Sequence, residues 1–331
     1  MSHDTTRDDQ ARGTSITASL SRRDLLTRAA IGAATVAARA VPSVLPAGAA
    51  APTIHAARKT LTIGAKGFAE NEIVAHMYLL LLQQAGLPVH GTITRNLTSA
   101  IATPALMHGD IDIFPEYTGT GLEVILKQKA PHNARAYYRA VAAGYQRQFN
   151  LTWLDPMPLD DTHGFATTQA ISRTYGLTTI TDMVRNASRL RLIVTAEYLT
   201  RPDGLAGLKR VYGDFTPKKL VTLADVGSLR YAALLLGQGD VVEAFTTDGL
   251  IAADRLVVLG DPKGYAPPDN LAAVVRTDAL RAYPQIKDVL NKLAPRVTTR
   301  LMTALNYLVD GAHMAPQLVA RIFLQQQGLL K

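Results

Sequence analysis

The run Phe114-Pro115-Glu116-Tyr117-Thr118-Gly119-Thr120-Gly121 holds the residue types best suited to gripping a small ligand. It follows the strand-like Ile111-Asp112-Ile113 and precedes the apolar Leu122, Val124 and Ile125. A strand that ends in Thr-Gly-Thr-Gly and opens a helix turns backbone N–H groups and hydroxyls toward whatever sits over its end. Tyr117 lies at the edge of that cradle, and a tyrosine face can seat a cation, worth roughly 0.5–2 kcal/mol depending on desolvation. An ordinary strand, turn and helix with a core tyrosine would read the same way, so the motif alone leaves both readings open.

The elements that must position these residues follow from hydrophobic periodicity. Leu61-Thr62-Ile63-Gly64 reads as a short buried strand, and Glu70 to Ala85 as a helix with Ile73, Val74, Met77, Leu80 and Leu81 at helical spacing. Gly86-Leu87-Pro88 stops that helix. Val89 to Thr94 is a second strand, and Ser99 to Met107 a second helix. Strand, helix, strand, helix, strand predicts a parallel sheet with right-handed crossovers. Ligands on such sheets sit at the carboxyl ends of the strands. That nominates Ala65-Lys66-Gly67, Leu97-Thr98-Ser99 and the stretch 116–121.

Further along, Leu159 to Thr167 and the proline-rich Gly260 to Asn270 read as two segments crossing between lobes. Between them alternation resumes, with strands at Leu190–Thr195, Val241–Phe245 and Leu256–Leu259 and helices at Ile180–Asn186, Leu205–Tyr212 and Gly227–Leu236. A strand at Leu271–Arg276 and helices at Pro284–Leu293, Thr298–Val309 and Pro316–Gln326 complete the chain. The expected architecture is α/β with two lobes: residues 59–160 plus 268–331 in one, and 161–267 in the other. Such lobes close on a ligand by hinge bending.

The first 58 residues stand apart. Ser21-Arg22-Arg23-Asp24-Leu25-Leu26 is a twin-arginine pattern, followed by an alanine-rich apolar stretch from Ala29 to Ala38 and small-residue cleavage options at 47–51. The stretch is shorter than the about 20 residues a membrane span needs. A soluble, periplasmic protein is therefore expected. The chain has no cysteine, hence no disulfide, thiolate metal site or lipid-modified cysteine. Its net charge is +8, of which seven basic and four acidic residues fall within 1–58, leaving +5 on the rest. The basic residues are spread out rather than striped with aromatics, which argues against nucleic-acid binding.

The mature chain, from about Leu61 to Lys331, resembles the substrate-binding proteins of ABC importers for osmoprotectants such as glycine betaine, choline and carnitine. The marks are Ile63-Gly64-Ala65-Lys66-Gly67-Phe68-Ala69-Glu70, Gly109-Asp110-Ile111-Asp112 with Pro115-Glu116-Tyr117-Thr118-Gly119-Thr120, Arg201-Pro202-Asp203-Gly204-Leu205, Thr246-Thr247-Asp248-Gly249 and Met302-Thr303-Ala304-Leu305-Asn306-Tyr307. The resemblance implies a type II periplasmic-binding-protein fold, no cofactor, a monomer, and an ABC permease of the inner membrane as partner. It also implies a box of aromatic rings around a quaternary ammonium group, which cannot donate an ordinary hydrogen bond.

Carried over by position, Tyr117 and Phe245 match box aromatics. His163 and Asp269 stand where two further tyrosines are expected, so the box is half dismantled. Lys66, Thr120 and Arg201 match positions that would face a ligand carboxylate. A protonated His163 would repel a cation, whereas Asp269 could serve as its counter-charge. Tyr265 could supply a ring, and specificity is expected to shift toward another cationic or zwitterionic solute.

Each residue also has a plainer role. Arg201 could pair with Asp203, Glu116 with a basic residue, Thr120 could cap a helix and Phe245 could pack in the core. Asp248 is expected to open a turn with Gly249. Catalysis has little support: no Gly-x-Ser-x-Gly elbow and no metal-ligand spacing is present, and the eight histidines are scattered.

Overall fold

The structure is a computed structural model that describes residues 60–224 and 227–331. The twin-arginine pattern and both cleavage options lie outside the described residues. Among the described residues, no helix is long and apolar enough to cross a membrane.

The described residues contain ten strands: β1 (Leu61–Gly64), β2 (Val89–Thr94), β3 (Ile113–Tyr117), β4 (Leu151–Trp153), β5 (His163–Thr167), β6 (Arg191–Thr195), β7 (Lys219–Leu223), β8 (Val241–Phe245), β9 (Val257–Leu259) and β10 (Leu271–Arg276). They form two five-stranded sheets, ordered β2-β1-β3-β10-β4 and β7-β6-β8-β5-β9. In the first, β1 runs parallel to β2 and β3, while β10 runs antiparallel to β3 and β4. The second repeats this plan: β6 is parallel to β7 and β8, and β5 is antiparallel to β8 and β9.

The sheets are therefore mixed, not purely parallel. The reason is topological. A strand that has just crossed from the other lobe enters its new sheet from the opposite end, and it pairs head to tail. Both β5 and β10 follow a crossing segment. The first crossing is accordingly shorter than its sequence suggested, because His163–Thr167 is already strand.

Two strands escaped the periodicity. Lys219–Leu223 is an edge strand with no buried residue, and Leu151–Trp153 has only three residues. Neither shows the apolar run that marks a buried strand. β3 begins later and extends further than expected, to Tyr117, and all five of its residues are buried. The Thr-Gly-Thr-Gly stretch then opens a π-helical turn at Thr120–Ile125 rather than a regular helix.

The helix Ala69–Gln84 anchors the first lobe. Thirteen of its 16 residues are buried, including Ile73, Met77 and Leu82. A helix apolar nearly all round must be covered on several sides. Here the covering includes the C-terminal helices Thr299–Asp310 and Pro316–Gln326. Leu61, Ile63, Ile113, Leu271 and Phe323 join the same core. A separate cluster of Phe165, Leu192, Val194, Leu208 and Val241 fills one side of the second sheet.

The two crossing segments run side by side. Asp161 N–H donates to the Asp269 carbonyl at 3.1 Å, Asp269 N–H to the Asp160 carboxylate at 2.7 Å, and the Asn270 amide to the Leu159 carbonyl at 2.6 Å. This pairing places Asp161 and Asp269 together between the sheets.

Candidate functional site

A cavity of about 430 Å³ opens between the two sheets. All three strand ends nominated from the sequence line it: Lys66 and Gly67 beyond β1, Leu97, Thr98 and Ser99 beyond β2, and Tyr117 with Thr120 at the end of β3. From the second lobe come Arg201, Arg230, Phe245, Thr247 and Asp248, and from the crossing segments Asp161 and Asp269.

Tyr117, the last residue of β3, is 2 % exposed. Its hydroxyl donates to Glu70 Oε1 at 2.9 Å, and its ring stacks on Phe68 with centroids 6.2 Å apart. The ring face is already in use: Lys66 Nζ lies 4.7 Å from its centroid and 2.9 Å from Glu116 Oε1. The protein thus seats one of its own cations on the tyrosine.

Asp269 acts as a bracket for the β3 turn. One carboxylate oxygen accepts from Gly119 N–H at 2.6 Å and Thr120 N–H at 3.1 Å, and the other from the Thr120 hydroxyl at 3.2 Å. The expected counter-charge is therefore at the cavity, but three donors of this chain already use it. Arg201 reaches across from the second lobe to Thr120 Oγ1 at 3.2 Å. Its Nε and Nη2 also grip Asp203 in a two-point pair at 2.9 and 2.6 Å.

His163 does not line the cavity. Its ring lies 4.4 Å behind Phe245, and its Nε2 is 3.3 Å from Glu243 Oε1. The cause is cross-strand pairing on one face, which packs the imidazole against a ring that covers it. His163 is the first residue of β5 and pairs directly with Phe245 of β8. It supports the ring that reaches the cavity and does not replace it. Tyr265 also stays away, hydrogen-bonded to the Tyr198 hydroxyl at 3.0 Å within the second lobe's core.

Several cavity residues were not nominated from the sequence as ligand contacts. Glu70 and Phe68 sit just past the β1 end, inside the strand-end zone, and that rule could have found them. Arg230 follows β7, an edge strand with no buried residue, so the strand-end rule does not reach it from the sequence. Asn306 comes from the C-terminal helix Thr299–Asp310, far away in sequence; its amide donates to Glu70 Oε2 at 3.1 Å and to the Thr247 carbonyl at 2.9 Å. Asp248 opens the turn as expected, accepting from Phe245 N–H at 2.7 Å, and it also borders the cavity.

Three carboxyls here resist ionisation. Burial pushes Glu70 and Asp161 up, each made worse by a nearby acid. Burial also pushes Asp269 up to about 7, against the pull of Arg201. A cavity bordered by desolvated carboxyls and by the rings of Phe68, Tyr117 and Phe245 suits a ligand with a positive group.

The turn that carries Arg201 rests on a close approach. A Cβ at Gly204 would run into the Tyr198 carbonyl and lie 3.3 Å from that of Arg201. These are backbone atoms and cannot swing aside. Gly204→Ala should cost about 2–3 kcal/mol of stability, measurable as a lowered urea midpoint. A wild-type midpoint would show that the turn yields.

Comparison with known proteins follows the same lines. Residues 59–326 match the family model described as the substrate binding domain of ABC-type glycine betaine transport systems. The chain is 33 % identical over 275 residues to the carnitine transport binding protein of Listeria monocytogenes, covering 82 % of this chain and 88 % of that one. It is 28 % identical over 271 residues to an ergothioneine transport permease and binding protein of Helicobacter pylori, covering 82 % of this chain and 48 % of that one. A solved structure of a glycine betaine/carnitine/choline ABC transporter protein aligns with a TM-score of 0.67 at 31 % identity, covering 82 % of this chain and all of the other. On the family match and the two-lobed cleft, this chain belongs to the family of substrate-binding domains of ABC-type glycine betaine transport systems.

Proposed function

We propose that the protein captures a quaternary ammonium osmoprotectant of the glycine betaine, choline or carnitine type, or a related zwitterion, and delivers it to an ABC permease of the inner membrane. Capture proceeds by closure of residues 59–160 plus 268–331 against 161–267, with the protein acting as a monomer in the periplasm after twin-arginine export. Lys66, Tyr117, Thr120, Arg201, Phe245 and Asp269 form the proposed contact set, and His163 backs Phe245.

The observation that carries this reading is the company of Phe68, Tyr117 and Phe245 with the buried carboxyls Glu70, Asp161 and Asp269 around one cavity. A fixed positive charge that cannot donate hydrogen bonds gains from ring faces and nearby negative charge, and gives up less on leaving water than an ammonium that donates to it. A second reading, an amino-acid-like zwitterion, is favoured by Lys66 lying over Tyr117 and Arg230 over Phe245 at 5.2 Å.

Thermal-shift and calorimetric titration of the purified protein with glycine betaine, carnitine, choline, ergothioneine and standard amino acids separates the two. A true ligand at 100 times its dissociation constant should stabilise the fold by about 2.7 kcal/mol. Response to amino acids alone would reject the quaternary ammonium reading.

A further inference from the structure

We propose that Arg230 is the anion seat of this cleft, and that it makes the protein prefer solutes bearing a carboxylate over carboxylate-free analogues with the same cationic head. The inference deepens the solute-binding reading and rests on it.

Among the described residues, three basic side chains border the cavity. Lys66, Arg201 and Arg230 line it. Lys66 is held by Glu116 at 2.9 Å. Arg201 spends Nε and Nη2 on Asp203 and Nη2 also on Thr120, and its Nη1 lies 3.5 Å from Glu197. An incoming carboxylate would have to compete with Glu116 or Asp203 for either group.

Arg230 differs. It is 1 % exposed, and among the described residues only its Nη2 has an acceptor, one oxygen of Asp248 at 2.5 Å. That same oxygen also accepts from the Tyr231 hydroxyl and from Phe245 N–H. Nε and Nη1 have no acceptor among the described residues. A guanidinium carries five N–H donors, and buried donors are normally satisfied. This one borders a ligand cavity with donors to spare.

The guanidinium carbon lies 5.2 Å from the Phe245 ring centroid and 5.1 Å from that of Tyr231. Both rings lie within cation–π reach of the guanidinium, and the spare Nε–H and Nη1–H groups are donors that a ligand carboxylate can accept. The ligand class is thus a betaine: a quaternary ammonium at the rings and carboxyls, and a carboxylate at Arg230.

The test pairs affinity with a direct view of the guanidinium. Glycine betaine and choline share a trimethylammonium group and differ in the carboxylate. Arg230→Gln should weaken glycine betaine by about 10–100-fold, as expected for loss of a charge-assisted hydrogen bond, while choline changes by less than about threefold. Equal loss for both ligands, or none for either, overturns the proposal. So does a selective loss of glycine betaine binding on Lys66→Gln with Arg230→Gln silent.

Should Arg230→Gln not fold, the wild-type protein decides. Its arginine Nε–H signals are followed by nitrogen-15 NMR, with the Arg230 signal identified by its absence in Arg230→Lys or, if that variant is also unfolded, by sequential assignment. Acetate and glycine betaine should shift it, and tetramethylammonium should not. A signal unmoved by acetate and by glycine betaine overturns the proposal. If glycine betaine, carnitine and choline all fail to bind while acetate still shifts Arg230, the osmoprotectant reading falls and the anion seat stands.

Discussion

Replacing Gly249 with valine should weaken solute binding by about 100-fold while leaving each lobe folded. Gly249 begins the short helix Gly249–Ala253 that follows β8 in the second lobe. A Cβ there would press on Tyr307 N and lie 2.6 Å from its Cα and 2.7 Å from its Cβ. Tyr307 belongs to Thr299–Asp310, which packs against Ala69–Gln84 in the first lobe. The contact is backbone against backbone, so no side chain can give way and the lobes must part.

The residue just before Tyr307 in that helix shows what is lost. Asn306 ties the Thr247 carbonyl of the second lobe to Glu70 of the first. Moving Gly249 away from Tyr307 therefore breaks a bond bordering the cavity. When binding needs a closed state, apparent affinity falls with the closed fraction, and a 100-fold loss corresponds to about 2.7 kcal/mol of disfavoured closure. Calorimetry measures the affinity, and small-angle scattering should show a larger radius of gyration in the presence of ligand. Wild-type affinity in Gly249→Val would show that this contact does not limit closure.

The second large effect concerns pH. Asp269→Asn should gain stability relative to the wild type as pH rises, by about 2 kcal/mol between pH 5 and 7. In the unfolded chain an aspartate ionises near 4, whereas burial holds Asp269 near 7 in the fold. Between these values the unfolded state has released a proton that the folded state keeps. The folded state binds more protons, so stability declines as pH rises through this window. Asparagine has no such proton, and its variant lacks this part of the slope.

Glu70 and Asp161 push in the same direction, since burial raises both. His76 opposes them below pH 6.5, because burial and Arg95 hold its ring down to about 4 and the unfolded chain takes up a proton first. The variant-minus-wild-type difference cancels the His76 contribution, whereas Asp161, which Asp269 helps to push up, titrates together with Asp269 and belongs to the same slope. Urea midpoints at pH 5, 6 and 7 give the slope, and a flat difference would place the Asp269 titration outside this range. A bound cation favours the ionised carboxyls, so affinity for a quaternary ammonium solute should strengthen over the same interval. Titrations in two buffers of different ionisation enthalpy should then show proton release on binding.

Local pattern carried a large part of this protein. Ile73, Met77 and Leu80 at helical spacing marked the first helix, and the alternation of strands and helices marked two α/β lobes. The strand-end rule then pointed to Lys66, Thr98 and Thr120, because the carboxyl ends of parallel strands leave a crevice wherever such a sheet forms. These signals are legible because each depends on neighbours in sequence.

Tertiary structure decided which side chains could still meet a ligand. Nothing near Lys66 in sequence shows that Glu116 will hold it, and nothing near Asp269 shows that Gly119 and Thr120 will claim its carboxylate from 150 positions away. His163 was drawn away from the cavity by the cross-strand register that sets it beside Phe245. Arg230 came to the cavity behind an edge strand whose half-exposed residues gave no apolar signal. Charge pairing and register join residues distant along the chain, and both emerge only once the sheets have formed and the crossing segments lie side by side.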